Sequence, residues 1–428
     1  MLRQDPQVAR TALARRDGAL VERLDALLEA DREHRAVLAR LEAMRSERNS
    51  LSQAVSVARR EKREADAEAA IARVKAMAEE MARAEGEETA LDERMRSLLA
   101  EIPNLPNESV PPGGEADAVE VRRWHAPPIG ASAHTPQNHW DIGTRLGILD
   151  FERASKLSGS RFVVYRGLGA RLERALINFM MDHHARRGYT EIIPPYLVKE
   201  ATLWGTRHLP KFREDMFATT DGRFLISTSE IPVTAYHRDE ILPGEALPIR
   251  YVAYSTCFRS EAGSAGKDTR GLIRHHQFDK VELVTLCRPE TSYDVLEAMT
   301  ADAASVLEAL SLSYRVVTLA VGDLGFSSAK TYDLEVFLPG AGTYREISSV
   351  SNIEAFQARS LGVRYRDGEG RVQHVHTLNG SGLAVSRTLA AILEQGLQED
   401  GSVLLPEALW PYMGGVREIA PQTEAVPG

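Results

Sequence analysis

The sequence predicts an α+β protein in two unlike parts: an N-terminal antiparallel helical coiled-coil arm, and a larger domain with an antiparallel β-sheet flanked by helices. Three observations support this prediction. Residues 20–102 contain no proline and one glycine, and they are dominated by Ala, Leu, Glu and Arg, which favour helices. The next segment, IPNLPNESVPPGGEAD at 102–117, holds prolines and a Gly-Gly pair that cannot continue a helix. After it, helical stretches alternate with short β-rich runs.

The first helical stretch is too long to remain single. Its apolar residues keep a three-and-four spacing that is interrupted at His34, Arg48 and Glu88. One helix of about eighty residues would be about 120 Å long at about 1.5 Å per residue. We therefore expect a fold-back near residues 56–68 and an antiparallel arm about 60 Å long.

Charge within the arm is uneven. The segment from Arg45 to Arg63 holds six basic and two acidic side chains. A solvated coiled-coil surface and a phosphate-binding surface explain this pattern equally well when the segment is taken alone. The candidate phosphate-binding residues are Arg45, Arg48, Arg59, Arg60, Lys62 and Arg63.

The change in composition predicts two domains, over residues 1–110 and 111–428. In the second domain we expect a helix over 169–187. The runs rich in β-branched and aromatic residues predict strands at 190–193, 223–227, 249–258, 278–286 and 332–338.

Composition and charge exclude some classes of protein. The chain has 428 residues and a formal net charge of −9, which argues against a nucleic-acid coat or a membrane-surface protein. Its two cysteines, Cys257 and Cys287, cannot form a multi-cysteine zinc site and are expected to be buried thiols. No apolar run is long enough for a signal peptide or a membrane span. We expect a cytoplasmic protein without a membrane segment.

One predicted hairpin has an unusually long connection. In CFRSEAGSAGKDTRGLIRHHQFDKVELV, about a dozen residues separate the two strands, whereas hairpin loops commonly have two to five. Arg259 and Glu261 are two apart near the end of the first strand, which would place them on one face, and Arg274 enters the return strand four residues before Phe278. Two guanidinium groups, a carboxylate and an aromatic ring suit a nucleotide. Surface charges on an amphipathic hairpin are the alternative.

The same hairpin resembles motif 2 of the class II aminoacyl-tRNA synthetases, in the form found in seryl-tRNA synthetases. LNGSGLAVSRTLAAILEQ at 378–395 resembles motif 3 of that family. Further segments resemble motif 1, the serine-binding element, the metal and ATP segment and the C-terminal signature; they are ALINFMMDHHARRGYTEIIPPYLV, ISTSEIPVT, YREISSVSNIEAFQAR and PEALWPYMGG. The resemblance covers nearly the whole chain, including the helical arm.

This resemblance implies the class II antiparallel sheet, a homodimer formed through motif 1, and a two-step reaction. L-serine and ATP give seryl-adenylate and pyrophosphate, and the seryl group then passes to the 3′ end of tRNA(Ser); tRNA(Sec) is a further substrate known in the family. The helical arm and the motif 2 loop, residues 262–271, would contact the tRNA. Mg²⁺ would accompany ATP.

The resemblance also assigns roles to residues. Arg259, Arg387 and Glu346 would be catalytic, and Glu346 and Ser349 would hold Mg²⁺. The implied serine-binding residues are Thr228, Glu230, Arg259, Glu282 and Ser381, and the implied ATP-binding residues are Arg259, Glu261, Arg274, His275, Phe278, Glu346, Ser349 and Arg387. Alanine should be rejected because the lost hydroxyl would leave the Glu282 carboxylate unpaired.

Several residues depart from the family pattern, whereas the three residues assigned to catalysis, Arg259, Arg387 and Glu346, are intact. The departures beside the motifs are Arg207, His208, Ser229, His275, Val350 and Ser386. Ordinary drift explains them, and so does a specialised paralogue whose narrower nucleotide pocket resists an inhibitor or serves a secondary pathway. A non-catalytic tRNA-binding paralogue and a ligase that charges a carrier protein are two further alternatives. The intact Arg259, Glu346 and Arg387 argue against the first of these, and the arm argues against the second.

Overall fold

A computed structural model describes residues 2–126, 136–262 and 270–421 of the protein. Its contacts divide the chain into two compact units, Met1–Leu105 and Pro106–Gly428. The predicted contact of the motif 2 loop with tRNA falls largely on residues 263–269, which lie outside the described residues.

The first unit contains three helices: α1 (Pro6–Arg16), α2 (Ala19–Arg60) and α3 (Glu64–Glu101). The side chain of Asp5 caps α1 by accepting the Val8 backbone N–H at 3.1 Å. The fold-back lies between α2 and α3, inside the predicted range. Since α2 has 42 residues, its length is about 63 Å at about 1.5 Å per residue. The predicted antiparallel helical arm is confirmed.

The interruptions of the arm's apolar pattern have a physical explanation. Nε2 of His34 on α2 lies 3.1 Å from Oε1 of Glu88 on α3, and both side chains are partly buried. The two polar residues therefore satisfy each other across the helix pair. Arg48 lies on the exposed surface instead.

In the second unit eight helices are described. They are α4 (His139–Arg145), α5 (Phe151–Ser158), α6 (Leu168–Ala185), α7 (Glu200–Gly205), α8 (Glu230–Thr234), α9 (Ser292–Ala309), α10 (Phe356–Leu361) and α11 (Val385–Gln395). The predicted helix at 169–187 corresponds to α6, with each bound shifted by one or two residues.

The strands of this unit are mostly short. They are β1 (Val119–Trp124), β2 (Leu149–Asp150), β3 (Val164–Tyr165), β4 (Thr190–Glu191), β5 (Leu197–Lys199), β6 (Arg223–Leu225), β7 (Ile241–Pro243), β8 (Ile249–Phe258), β9 (Gln277–Cys287), β10 (Tyr314–Thr318), β11 (Lys330–Leu338), β12 (Thr343–Glu354), β13 (Arg364–Arg366), β14 (Val372–His374), β15 (His376–Ala384), β16 (Val403–Leu404) and β17 (Glu418–Ile419). Each of the five predicted strands corresponds to one of these, and the bounds of β8 agree with the prediction.

Within the described residues the main sheet has eight strands in the order β1-β10-β11-β12-β15-β9-β8-β4. Every neighbouring pair in it is antiparallel except β4 with β8. Helices α6, α9 and α11 pack on this sheet, and the core between them includes Leu172, Leu283 and Leu389, which are fully buried. The predicted α+β class with an antiparallel sheet is confirmed.

None of the helices among the described residues is long and apolar enough to cross a membrane.

Candidate active site

One cavity of about 410 Å³ lies in the second unit. Its wall is formed by β9, β12, β15 and the start of α11, together with residues from the segments at 207–216, 227–230, 259–261, 272–275 and 325–328. All twelve residues to which the sequence assigned serine, ATP or metal binding line it: Thr228, Glu230, Arg259, Glu261, Arg274, His275, Phe278, Glu282, Glu346, Ser349, Ser381 and Arg387. The structure therefore brings together residues from six separate stretches of the chain.

Strand β9 contributes alternate side chains to the cavity. Phe278, Lys280 and Glu282 face it, while Val281 and Leu283 are fully buried on the opposite face. Lys280 is not among the residues predicted to bind a ligand, although it lies midway in the two-residue alternation from Phe278 to Glu282. The spacing alone could have identified this residue.

Lys280 connects the side chains predicted to bind serine. Its Nζ donates a hydrogen bond of 2.8 Å to Oγ1 of Thr228 and forms an ion pair with Oε2 of Glu282. Both members of this ion pair are less than a tenth exposed. The expectation that Glu282 would be unpaired without the serine hydroxyl is therefore wrong, because a cation already neutralises it.

Glu282 still has room for a ligand. Burial raises the pKa of its carboxyl group, and Lys280 opposes that rise. Its carboxylate lines the cavity, and its Oε2 is already paired with the Lys280 ammonium. Glu282 stands directly opposite Ser381 in the β9–β15 ladder, so the carboxylate and the hydroxyl project from the same face of the sheet.

The second carboxylate, that of Glu230, is partly buried, and Glu230 is the first residue of α8. Burial raises the pKa of its carboxyl group, and the Gln357 amide, which donates to Oε1 at 2.8 Å, lowers it in part. The Glu230 backbone N–H donates to Oγ1 of Thr228 at 3.2 Å. These bonds fix a carboxylate beside the Thr228 hydroxyl.

The two ends of the long connection meet at the cavity, but strand alternation is not the reason. β8 ends at Phe258, so Arg259 and Glu261 lie beyond the strand, and Glu261 has a φ of +54°. Likewise β9 begins at Gln277, after Arg274. The prediction that these residues share a face because they lie within strands is wrong. Irregular backbone brings them to the cavity.

The cationic side chains here already have partners. The Arg259 guanidinium lies 5.0 Å from the centre of the Phe278 ring, and Arg274 forms a 2.7 Å ion pair with Glu261. Beside them, Nε2 of His275 hydrogen-bonds the Gly271 carbonyl at 2.9 Å, and burial lowers the pKa of His275 to about 4. His275 is therefore neutral at pH 7 and does not add a cation to this wall.

A β-bulge places the two predicted metal ligands on one face. In a regular strand, Glu346 and Ser349 would point to opposite faces because they are three residues apart. In β12, however, Ser348 pairs with Leu334 and Glu346 pairs with Glu335, so one extra residue lies between them. Both side chains consequently line the cavity.

The donor set fits Mg²⁺ delivered with a nucleotide. Among the described residues no group of three or more His, Cys, Asp or Glu side chains could hold a metal ion by itself. One carboxylate and one hydroxyl, at Glu346 and Ser349, match an ion that takes most of its ligands from phosphates and water. Asp333, which the sequence analysis missed, stands opposite Ser349 in the neighbouring strand, and burial raises the pKa of its carboxyl group.

Arg387, on the first turn of α11, closes the cavity on the Glu346 side. Its Nη1 donates to the Glu346 carbonyl at 2.7 Å and lies 3.3 Å from the carboxylate, and its Nε donates to the Ile273 carbonyl at 3.2 Å. The guanidinium thus bridges β12 and the segment that precedes β9.

The departures from the family pattern divide into two groups. Arg207, His208, His275 and Ser386 line the cavity. Ser229 and Val350 are fully buried and do not line the cavity. The Val350 side chain packs against Gly380, so closely that a Cβ at residue 380 would collide with it. Only the first group can change the shape of the site directly.

Comparison with known proteins identifies the family of this chain. The model of the seryl-tRNA synthetase N-terminal domain matches residues 1–106, and that of the tRNA synthetase class II core domain (G, H, P, S and T) matches residues 217–396. The serine–tRNA ligase of Geobacillus kaustophilus (strain HTA426) is 54% identical over 423 residues, which is 97% of each chain. The chain belongs to the seryl-tRNA synthetase family. The predicted family is thereby confirmed, and with it the class of aminoacyl-tRNA ligases.

Other members of the family agree with this assignment. The serine–tRNA ligase of Bacillus subtilis (strain 168) is 52% identical over 423 residues, which is 98% of each chain. The crystal structure of the seryl-tRNA synthetase from Pyrococcus horikoshii complexed with ATP has a TM-score of 0.92, with 35% identity and 98% coverage of each chain. The cytoplasmic serine–tRNA ligase from Naegleria fowleri, in complex with AMP, has a TM-score of 0.85 at 30% identity, over 98% of this chain and 96% of the other.

Proposed function

We propose that this cavity activates L-serine with ATP to form seryl-adenylate and pyrophosphate, and then transfers the seryl group to the 3′ end of tRNA(Ser). The observation that carries the proposal is the convergence of three guanidinium groups, at Arg259, Arg274 and Arg387, and of the Glu230 and Glu282 carboxylates on one cavity. Adenylation brings a carboxylate against an α-phosphate of like charge, so cations must hold both reactants and stabilise the transition state.

The nucleotide half of the cavity contains Arg259, Arg274 and Arg387. Arg259 would hold the α-phosphate and the serine carboxylate, Arg274 the γ-phosphate, and Arg387 the far side of the nucleotide. Phe278 would stack on adenine, and Glu261 would accept a hydrogen bond from its amino group. The ion pair of Arg274 with Glu261 holds these two side chains next to each other on the cavity wall, and the Arg259 guanidinium lies over the Phe278 ring.

The amino-acid half contains the Glu230 and Glu282 carboxylates. Thr228 and Glu230 would bind the serine ammonium group, and Glu282 and Ser381 would bind the hydroxyl. Alanine would lose one hydrogen bond to a charged acceptor, which is worth about 1.5–3 kcal/mol, or about 10- to 150-fold in binding. This selectivity is modest, because Lys280 already neutralises Glu282.

Glu346 and Ser349 would hold Mg²⁺ against the phosphates. The ion would neutralise phosphate charge during adenylation, and the β-bulge in β12 directs both oxygen ligands to the same place.

The helical arm would bind tRNA. Its six candidate residues, Arg45, Arg48, Arg59, Arg60, Lys62 and Arg63, are all exposed. In α3, residues 64–85 hold six acidic and three basic side chains, so the excess of positive charge is confined to the tip and the adjoining part of α2. This confinement supports a localised contact with the phosphates of a structured RNA.

We also propose a cytoplasmic homodimer formed through motif 1. The support is Ile193, which follows the edge strand β4 within the motif 1 segment and is 79% exposed. Large apolar side chains at the ends of an open sheet are typical of interfaces. The two free cysteines are both buried, which suits a reducing compartment.

Two assays on the purified protein test the reaction. Serine-dependent exchange of pyrophosphate into ATP measures adenylation, and charging of tRNA(Ser) measures transfer; the proposal expects both. An Arg387→Ala variant serves as the inactive control. Exchange without charging would indicate a ligase for a carrier protein, and the absence of both would leave only RNA binding.

A charge reversal tests the arm separately. We expect Arg59→Glu/Arg60→Glu to lower charging of tRNA(Ser), more strongly at low salt, while exchange is unchanged because the cavity is untouched. The matched control is Arg32→Glu/Arg35→Glu, which reverses two exposed arginines of the same helix away from the tip. Equal loss of charging in both variants would argue against a contact at the tip.

A further inference from the structure

A buried histidine and glutamate form a pair outside the substrate cavity. His139 begins α4, Glu394 lies in α11, and both side chains are about 1% exposed. Oε1 of Glu394 accepts hydrogen bonds from Nδ1 (2.6 Å) and the backbone N–H (3.0 Å) of His139, and Oε2 accepts from the Gly340 backbone N–H (2.8 Å). Three donors hold this carboxylate, so the position of the imidazole ring is strongly constrained.

The other nitrogen of the ring reaches the segment that precedes β9. The Leu272 backbone N–H donates to Nε2 of His139 at 2.9 Å. Because a backbone N–H can only donate, Nε2 must accept, and Nδ1 carries the hydrogen that Glu394 accepts. A chain of hydrogen bonds therefore runs from α11 through His139 to the backbone of Leu272.

The backbone beside this link is closely fitted. Gly271 has a φ of +81°, and a Cβ at this position would collide with both the His139 ring and the Trp140 ring. The Gly271 carbonyl is held by Nε2 of His275 at 2.9 Å. Leu272 itself is 1% exposed. The segment thus approaches His139 too closely to shift without breaking the bond.

Helix α11 also holds this segment at a second point. Arg387 donates from Nε to the Ile273 carbonyl at 3.2 Å. Arg387 and Glu394 are seven residues apart, two turns along the same side of the helix. ATP would compete for the donors of Arg387, whereas the link through His139 uses no group that a bound nucleotide needs.

We propose that His139 and Glu394 form a positioning pair that fixes residues 272–275 for ATP binding. Ile273, Arg274 and His275 follow the anchored Leu272 directly, and all three line the cavity. A displacement of about 1 Å in such a segment is enough to weaken positioning by an order of magnitude or more. The pair touches no substrate, so its effect passes through Arg274 and the neighbouring wall. This inference rests on the proposed use of ATP.

Two substitutions at His139 separate its two hydrogen bonds. In His139→Asn, the amide nitrogen lies near the position of Nδ1 and can still donate to Glu394, but nothing replaces Nε2. In His139→Gln, the longer side chain brings an amide oxygen near the position of Nε2, where it can accept from Leu272. His374→Asn is the matched control, because His374 is a half-buried histidine of β14 whose Nδ1 hydrogen-bonds the Val363 carbonyl at 3.2 Å, outside this network.

The measurements are the Kd for ATP by equilibrium dialysis, KM for ATP and for serine in the exchange assay, and the unfolding midpoint. We expect His139→Asn to raise the Kd and KM for ATP roughly tenfold, since one buried N–H loses its acceptor. KM for serine should stay within about twofold, and His139→Gln should recover part of the ATP affinity.

Unchanged ATP affinity in His139→Asn would overturn the proposal. So would equal loss of ATP and serine affinity in both His139 variants together with a lowered unfolding midpoint, because that result describes a purely structural pair. Failure of the proposed function would give a different result, because the wild-type protein itself would then neither bind ATP nor catalyse serine-dependent exchange.

Discussion

Removing the cation beside Glu282 tests the amino-acid half of the cavity most directly. Lys280→Met keeps the length of the side chain but deletes the charge that pairs with Glu282 and the donor to Thr228. We expect kcat/KM for serine to fall strongly, with little change in KM for ATP, because Lys280 contacts residues assigned to serine alone.

The magnitude follows from burial. The exposed fractions of the Lys280 and Glu282 side chains are 9% and 2%, and removing one partner of a buried ion pair costs about 3–5 kcal/mol. At about 1.36 kcal/mol per factor of ten, the full cost is two to more than three orders of magnitude. Glu282 can avoid part of this cost by taking up a proton. We therefore expect a loss of about 100-fold at pH 7.

The activity deficit of Lys280→Met should depend on pH in one direction. Burial raises the pKa of the Glu282 carboxyl group, and Lys280 lowers it. Without Lys280 the pKa rises further, so the ionised form, which is the stronger hydrogen-bond acceptor, returns only as the pH increases. The deficit of Lys280→Met relative to wild type should accordingly shrink between pH 7 and pH 9.

The assay is steady-state pyrophosphate exchange with varied serine, across this pH range. Lys199→Met, at an exposed lysine outside the cavity, controls for loss of a lysine. Lys280→Met/Glu282→Gln completes a double-mutant cycle, in which coupled residues give a double loss smaller than the product of the single losses. A loss of less than threefold in Lys280→Met, or independent effects in the cycle, would show that Lys280 does not act through Glu282.

Two further predictions concern a buried acid and the nucleotide wall. Glu173 is 6% exposed, neither of its carboxylate oxygens accepts a hydrogen bond among the described residues, and burial raises its pKa. The folded protein therefore keeps a proton that the unfolded chain releases above about pH 4.5. Stability should fall as pH rises from there towards the raised pKa, and Glu173→Gln should remove that slope in thermal unfolding followed by circular dichroism; an unchanged slope would contradict this account. Ser386 lines the cavity beside Arg387, so Ser386→Gly and Ser386→Ala should be inhibited more strongly than wild type by a non-hydrolysable seryl-adenylate analogue, as measured in the exchange assay. Equal inhibition would remove the support for a narrowed, inhibitor-resistant pocket.

Local sequence patterns determined the type and approximate position of many helices and strands in this protein. The absence of proline and the apolar spacing specified the arm and its fold-back, because helix propensity and amphipathicity are properties of neighbouring residues. Alternation along β9 likewise places Phe278 and Glu282 on one face, and it places Lys280 on that face as well. The type and approximate position of each element follow from such short-range rules.

Short-range rules did not predict correctly how several side chains reach the cavity, because this depends on the tertiary structure. Strand alternation places Glu346 and Ser349 on opposite faces, and only the bulge opposite Leu334 and Glu335 reverses this. It also does not explain why Arg259 and Glu261 reach the cavity, because both lie on irregular backbone beyond β8.

Long-range partners were equally invisible in the sequence. His34 and Glu88 appeared as interruptions until the fold-back paired them, and His139 gained its role only when α11 brought Glu394 within 2.6 Å across 255 residues of chain. The secondary-structure propensity of a residue depends on its neighbours in sequence. Its tertiary contacts depend on strand register and helix packing, which are determined by the whole chain.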